Sequence, residues 1–145
     1  MRDRTGQCLC GDVRFTARGV ESDFGVCSCK MCQRWGGASF VAVTAAEVAW
    51  QGEEHIRRRA SSDWAERGWC DTCGTHLFYR VTAPGIDGAG CHEIPLGLLD
   101  DTDGLRMTRE IFTDRRPAAY DFAGPHERLT EARTLAMFAG GEGAE

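Results

Sequence analysis

Hydrophobic positions in this chain recur with a period of two, in short runs separated by turn residues. In "DVRFTAR", Val13 and Phe15 alternate with polar neighbours, which predicts a half-buried strand. "ASFVAVT" is a continuous apolar run of the kind a buried strand shows. "EVAWQG", "HIRRRA" and "DWAERGWC" follow at close spacing, broken at Gly52, Glu53 and Glu54 and again at Ser61 and Ser62. "HLFYRVT" predicts another strand, ended by the loop "APGIDGAG". "CHEIPLGLLDD" and "RMTREIFTD" predict two more, joined by an Asp/Gly turn from Asp100 to Gly104.

Little amphipathic helix is expected before the end of the chain. "RRPAAYDF" reads as irregular, and Glu127 to Phe138 as a short helix with Leu129, Ala132 and Ala136 on one face. The final "GGEGAE" reads as a solvated tail. No internal repeat, long linker or composition shift marks a boundary, so the expectation is one all-β domain spanning residues 1–145.

Composition narrows the function classes. With 145 residues, 42% hydrophobic and 27% charged, the chain can bury a real core. A net charge of -5 argues against a general affinity for nucleic acid or anionic membranes. No apolar run approaches the roughly 20 residues of a membrane span. The opening "MRDRTGQCLC" lacks the apolar core of a secretory leader, so a cytoplasmic location with reduced thiols is expected.

Eight cysteines then need an account. Four disulfides would suit a secreted scaffold, but Cys27, Cys29 and Cys32 are too close together to pair comfortably with one another. Metal binding fits better. "CLCG" and "CDTCG" each end in glycine, which allows the positive φ of a turn that wraps backbone N–H groups around a metal-bound sulfur. Cys8, Cys10, Cys70 and Cys73 can therefore supply a four-thiolate structural zinc site, with iron as the alternative in the same cage.

The cluster "CSCKMCQRW" differs, because Gln33 stands where a turn glycine would be expected. Its three cysteines match the catalytic arrangement of zinc, three protein ligands and an open position. Alternatives are a fourth ligand from Cys91 or His92, which would close the site, or a reactive-thiol site without metal. Cys91 also reads as a small core residue. A soft three-thiolate zinc suits a substrate thiol better than it suits activating water. Arg34 and Trp35 beside the cluster are candidates to hold a substrate carboxylate and line a pocket, with Arg67 second as an anchor. Arg57, Arg58 and Arg59 read as a solvated strand face, and His55, His76 and His126 as packing or surface residues.

Taken in order, "GQCLCGDVRF", "VCSCKMCQRWGG", "SSDWAERGWCDTCGTHLFY", "IPLGLLDD" and "EIFTDRRPAAYD" resemble the glutathione-dependent formaldehyde-activating enzyme family, over about Gly6 to Asp121. That leaves residues 122–145 as a C-terminal extension and tail. The resemblance implies a β-tent of several short antiparallel sheets, a fold shared with a zinc-containing nucleotide-exchange chaperone of small GTPases. It implies two zinc ions, a structural one on Cys8, Cys10, Cys70 and Cys73 and a catalytic one on Cys27, Cys29 and Cys32. The implied activity is that of a carbon–sulfur lyase combining glutathione with formaldehyde, reversibly, to S-hydroxymethylglutathione. Two positions depart from the family's usual pattern: Ser28 where His is common and Gln33 where Arg is common. Neither removes a ligand, and both bear on the pocket. The expectation is a zinc enzyme acting on a glutathione-like thiol and a small aldehyde. A non-catalytic, zinc-stabilised protein-binding module, to which the resemblance to centromere protein V also points, is the alternative.

Overall fold

The computed structural model describes residues 1–139, so the tail "GGEGAE" lies outside the described residues. In chain order the elements are β1 (Arg2–Gln7), β2 (Arg14–Val20), β3 (Asp23–Cys27), α1 (Lys30–Gly36), β4 (Phe40–Ala45) and β5 (Glu47–Gln51). Then come β6 (Ile56–Ala60), β7 (Ala65–Cys70), β8 (His76–Val81), β9 (His92–Pro95), β10 (Arg106–Ile111), β11 (Glu127–Arg128) and α2 (Glu131–Ala139). The fold is all-β with two short helices. Its residues fall into two compact units, the first made of Met1–Ser22 with Ala42–Leu105 and the second of Asp23–Val41 with the chain from Arg106.

The first unit holds an antiparallel sheet in the order β1-β2-β5 and an antiparallel run in the order β4-β9-β8-β7-β6. The period-two pattern buries Val13, just ahead of β2, and Phe15 and Ala17 on it, while Val20, out of phase where the pairing with β1 shifts register, is buried as well. Trp50 on β5 meets Phe15 of β2 at 5.5 Å and Phe78 of β8 at 5.6 Å, so one indole joins the two sheets. Leu77, Phe78, Val43 and Ile94 complete this core without exposure.

β1 is polar throughout, "RDRTGQ", and no apolar alternation announces it. Besides its ladder with β2 it meets the Asp/Gly turn: the guanidinium of Arg4 donates to the carbonyls of Asp101 (2.8 Å) and Asp103 (2.6 Å), and the Asp100 amide donates to Thr5 O. Of the arginines on β6, Arg57 lies 3.7 Å from Asp71, and Arg58 pairs with Glu53 and Glu66 while its guanidinium covers the Phe78 ring.

The second unit is organised differently. β10 pairs in parallel with β3 on one side and with β11 on the other. Parallel neighbours need a long crossover, and residues 28–105 supply it between β3 and β10. The predicted helix from Glu127 is corrected here. Glu127 and Arg128 are a strand, because the Leu129 amide is taken by Glu110 O and extends the ladder on β10. The helix starts at Glu131, with the Thr130 hydroxyl accepting from the Arg133 amide as a cap. Ala132 and Ala136 are exposed, and the buried residue of the helix is Thr134, whose hydroxyl accepts from the Phe112 amide and donates to Thr130 O. α1, absent from the sequence expectation, is a seven-residue helix ended by Gly37 in the left-handed conformation.

Candidate metal centres

The first centre is built from two turns of the first unit. The chain leaves β1 into Cys8, turns back at Gly11 with φ 84°, and is closed by the Cys8 amide on Val13 O at 3.0 Å. The second turn, between β7 and β8, repeats the device: Gly74 has φ 81°, and its amide donates to Cys70 O at 2.8 Å. Both glycines have the positive φ their positions required.

The turns converge. The sulfurs of Cys8, Cys10, Cys70 and Cys73 all lie within 4.8 Å of one another. Cys8 and Cys10 stand 3.7 Å apart, and Cys10 and Cys70 3.9 Å. A tetrahedral zinc with sulfur at about 2.3 Å needs sulfur–sulfur edges of about 3.8 Å, so this donor set fits.

Amides aim at these sulfurs, from Val13 to Cys8 at 3.4 Å and from Asp12 to Cys10 at 3.5 Å. Thr75 joins the turns: its Oγ1 accepts from the Leu9 amide at 3.0 Å and lies 3.1 Å from Cys73 Sγ. Burial works against ionising Cys73, yet the hydroxyl and amide of Thr75 with further bonds from Cys10 and Cys70 bring it down to about 6. On Cys10 the Asp12 amide favours the thiolate, but burial and hydrogen bonds to Cys8, Cys73 and Cys70 push it up to about 12.

The second centre lies in the second unit, where β3 runs into α1. Cys27 ends β3, Cys29 is the cap residue of α1 and accepts from the Cys32 amide at 3.3 Å, and Cys32 is buried on the first turn. Their three sulfurs lie within 4.8 Å of one another. Hydrogen bonds to Cys29 and Cys32, together with burial, push the Cys27 thiol far up. Three thiolates this close repel one another, and a soft divalent cation is the partner that would relieve them. Among the described residues, the two groups that could hold a metal ion comprise these seven cysteines.

Ser28 and Gln33, the two departures from the family pattern, both brace this loop. Ser28 is fully buried, its amide donates to Ile111 O at 3.1 Å, and its Oγ lies 2.7 Å from Ser39 Oγ. Gln33 Nε2 donates to the carbonyls of Ser28 and Arg115, each at 2.7 Å, tying α1 to the residue before its cap and to the turn after β10. Phe112, in that turn, is the single non-glycine residue with positive φ among the described residues.

The remaining candidates spread out. Arg34 is exposed and Trp35 half-buried on α1, with the indole 5.5 Å from Phe40. Arg67 belongs to the first unit, buried on β7 with its guanidinium 4.7 Å over the Tyr79 ring. Cys91 is half-buried just ahead of β9, and burial followed by the charges of Glu93, Glu21 and Asp87 raises its thiol. His92 is buried with its ring edge-on to Phe78 at 5.1 Å and to Trp50 at 6.0 Å. His55 lies 3.5 Å from Asp71. His126 is no lone surface residue: its side chain is buried on the Glu110 carboxylate. Thr75, Ser39 and Tyr120 were not anticipated. Only Thr75, two residues past Cys73, carries a local signal.

Comparison with known proteins follows the same lines. The family model for the glutathione-dependent formaldehyde-activating enzyme matches residues 3–115. A Schizosaccharomyces pombe protein described as an uncharacterized lyase is 28% identical over 131 residues, covering 90% of this chain and 93% of its own. A Rhodobacter sphaeroides protein of known crystal structure is similar in fold, with a TM-score of 0.54 at 22% identity over 66% of this chain and 87% of that one. No helix among the described residues is long and apolar enough to cross a membrane.

Proposed function

Because the chain belongs to the glutathione-dependent formaldehyde-activating enzyme family, we propose that it is a zinc-dependent carbon–sulfur lyase joining a glutathione-type thiol to formaldehyde or another small aldehyde. The observation that carries this reading is the second centre. Cys27, Cys29 and Cys32 bring three sulfurs within 4.8 Å, one fewer than a closed four-thiolate site uses. In this reading Cys8, Cys10, Cys70 and Cys73 hold a structural zinc and the three-cysteine group a catalytic one. Zinc bound there would supply a soft acceptor for a substrate thiol and lower that thiol's pKa.

The reaction balances without an oxidant. A sulfur lone pair forms the bond to the carbonyl carbon, the carbonyl π pair moves to oxygen, and the proton the thiol gives up ends on that oxygen. The chain's own residues bind and orient. Cys27 and Cys29 are half-exposed and approachable, whereas Cys32 is buried and anchors the group. Trp35, braced by Phe40, offers an apolar wall. Arg34 is the first candidate to receive a substrate carboxylate. It lies about 200° around the helix axis from Cys32, so its long side chain must reach back. No side chain is assigned the proton, which water carries.

The test is a cobalt-substituted protein titrated with glutathione. The absorption of the ion at the three-cysteine group should change on thiol binding, and an unchanged spectrum at saturating glutathione sinks the enzyme reading. In parallel, Cys27→Ser should lose about one zinc per chain and stay folded, whereas unfolding would favour a purely structural ion.

A further inference from the structure

Three hydroxyls run in a hydrogen-bonded line to the three-cysteine group. Ser28, the residue joining Cys27 to Cys29, has its Oγ 2.7 Å from Ser39 Oγ. Ser39 Oγ lies 2.8 Å from Tyr120 Oη, and the Ser39 amide donates to the same phenol oxygen at 3.0 Å. Two bonds from one residue to one oxygen fix the phenol in direction as well as distance. The amide and carbonyl of Ser28 are already engaged by Ile111 and Gln33. Its hydroxyl is therefore the third tether on the link between two of the three sulfurs.

The far end of the line is anchored as firmly. The Tyr120 carbonyl accepts from Arg116, whose guanidinium also bonds the Glu110 carboxylate at 3.2 Å and stands 5.9 Å from the Tyr120 ring. Glu110 is fully buried, and His126 and Arg128 meet its second oxygen. Asp121, beside Tyr120, takes Arg116 Nη2 at 3.1 Å and lies 3.7 Å from Arg128 Nη2. Tyr120 sits in a segment without regular secondary structure, so this ionic network is what holds it in place.

We propose that Tyr120 is a positioning residue for the second centre. Acting through Ser39 and Ser28, it holds Cys27 and Cys29 at the spacing a thiophilic divalent cation needs, and so sets that group's metal affinity. This holds only with a metal on the three cysteines, as proposed above. Groups that orient a metal ligand from behind are worth 10- to 100-fold in affinity. A mere packing role is separable, because phenylalanine keeps the ring and its edge contact with Phe122 while removing the hydroxyl.

The experiment loads the full chain with cobalt(II), follows its thiolate absorption, and titrates the metal away with a chelator of known affinity. Cys27→Ser identifies which of the two cobalt ions belongs to the second centre. Tyr120→Phe should weaken that ion 10- to 100-fold and change its visible spectrum, leaving the four-cysteine ion as tight as before. Ser39→Ala should do the same, Ser39→Thr should restore the wild-type affinity, and the double variant should be no weaker than either single one. Should Tyr120→Phe fail to fold, the Ser39 pair carries the same expectation. A wild-type chain that takes up one cobalt sinks the metal reading and this inference with it. A wild-type chain that takes up two, beside variants that hold both as tightly, sinks the inference alone.

Discussion

Thr75 shows how much one hydroxyl can organise. Its oxygen accepts from the Leu9 amide, on the turn that carries Cys8 and Cys10, and approaches Cys73 Sγ on the other turn. One side chain thus spans the two halves of the first centre. Thr75→Val keeps the shape and removes both bonds. It should speed release of the four-cysteine metal to a chelator about tenfold. It should also lower stability by about 1 kcal/mol, a modest figure because the Leu9 amide it orphans is in an exposed residue. Metal-release kinetics indistinguishable from wild type would remove Thr75 from the site. At this scale the sequence was informative wherever geometry is local. The two glycine-ended turns are legible because cysteine spacing and a positive φ both belong to a few consecutive residues. Ser39 and Tyr120 are 81 positions apart, and no local pattern says that a phenol will meet a serine across that distance. Ser28 and Gln33 were read as positions that bear on the pocket, and their side chains brace the loop.

Among elements, the strands with clear alternation were read correctly, whereas β1, β3 and α1 were not anticipated and β11 was read as helix. β1 is a strand because β2 offers it an antiparallel ladder, with Arg4 finding backbone carbonyls besides, and β11 is a strand because β10 offers a ladder to residues that locally look helical. Gly68 on β7 lies opposite Phe78 in the register, and a Cβ there would stand 2.3 Å from Phe78 Cε2 and 2.6 Å from Cζ. That ring cannot easily yield. It is wholly buried, with Trp50 and His92 at its edges and the Arg58 guanidinium over its face. Gly68→Ala should therefore destabilise by about 1–3 kcal/mol, as overpacked cores do, read as a lower urea midpoint. An unchanged midpoint would mean that the sheet relaxes around the methyl group at no cost.

Acidification tests the whole molecule, because two buried titratable groups respond in different pH windows. His92 is held neutral: burial first, then the charges of Arg80 and Arg58, push it from an ordinary value of 6.5 down to about 4. Below pH 6.5 the unfolded chain takes up a proton that the fold refuses, so stability falls as pH drops from 6.5 towards 4. Glu110 behaves oppositely in sign of charge. Burial alone would raise its pKa, but the bonds from His126 and Arg128 and the charge of Arg116 hold it below the ordinary 4.5. Its contribution is present above that value and is lost as pH falls through the lowered one. Thiolate centres also shed metal in acid, and that loss must be separated from His92. His92→Leu does so, since metal release is common to both proteins and cancels in the difference between them. Between pH 7 and pH 5, the wild type should lose about 2 kcal/mol more stability than the variant, measured by urea unfolding at each pH. Equal losses would mean that His92 titrates normally in the fold and that its place between Trp50 and Phe78 does not exclude a charge.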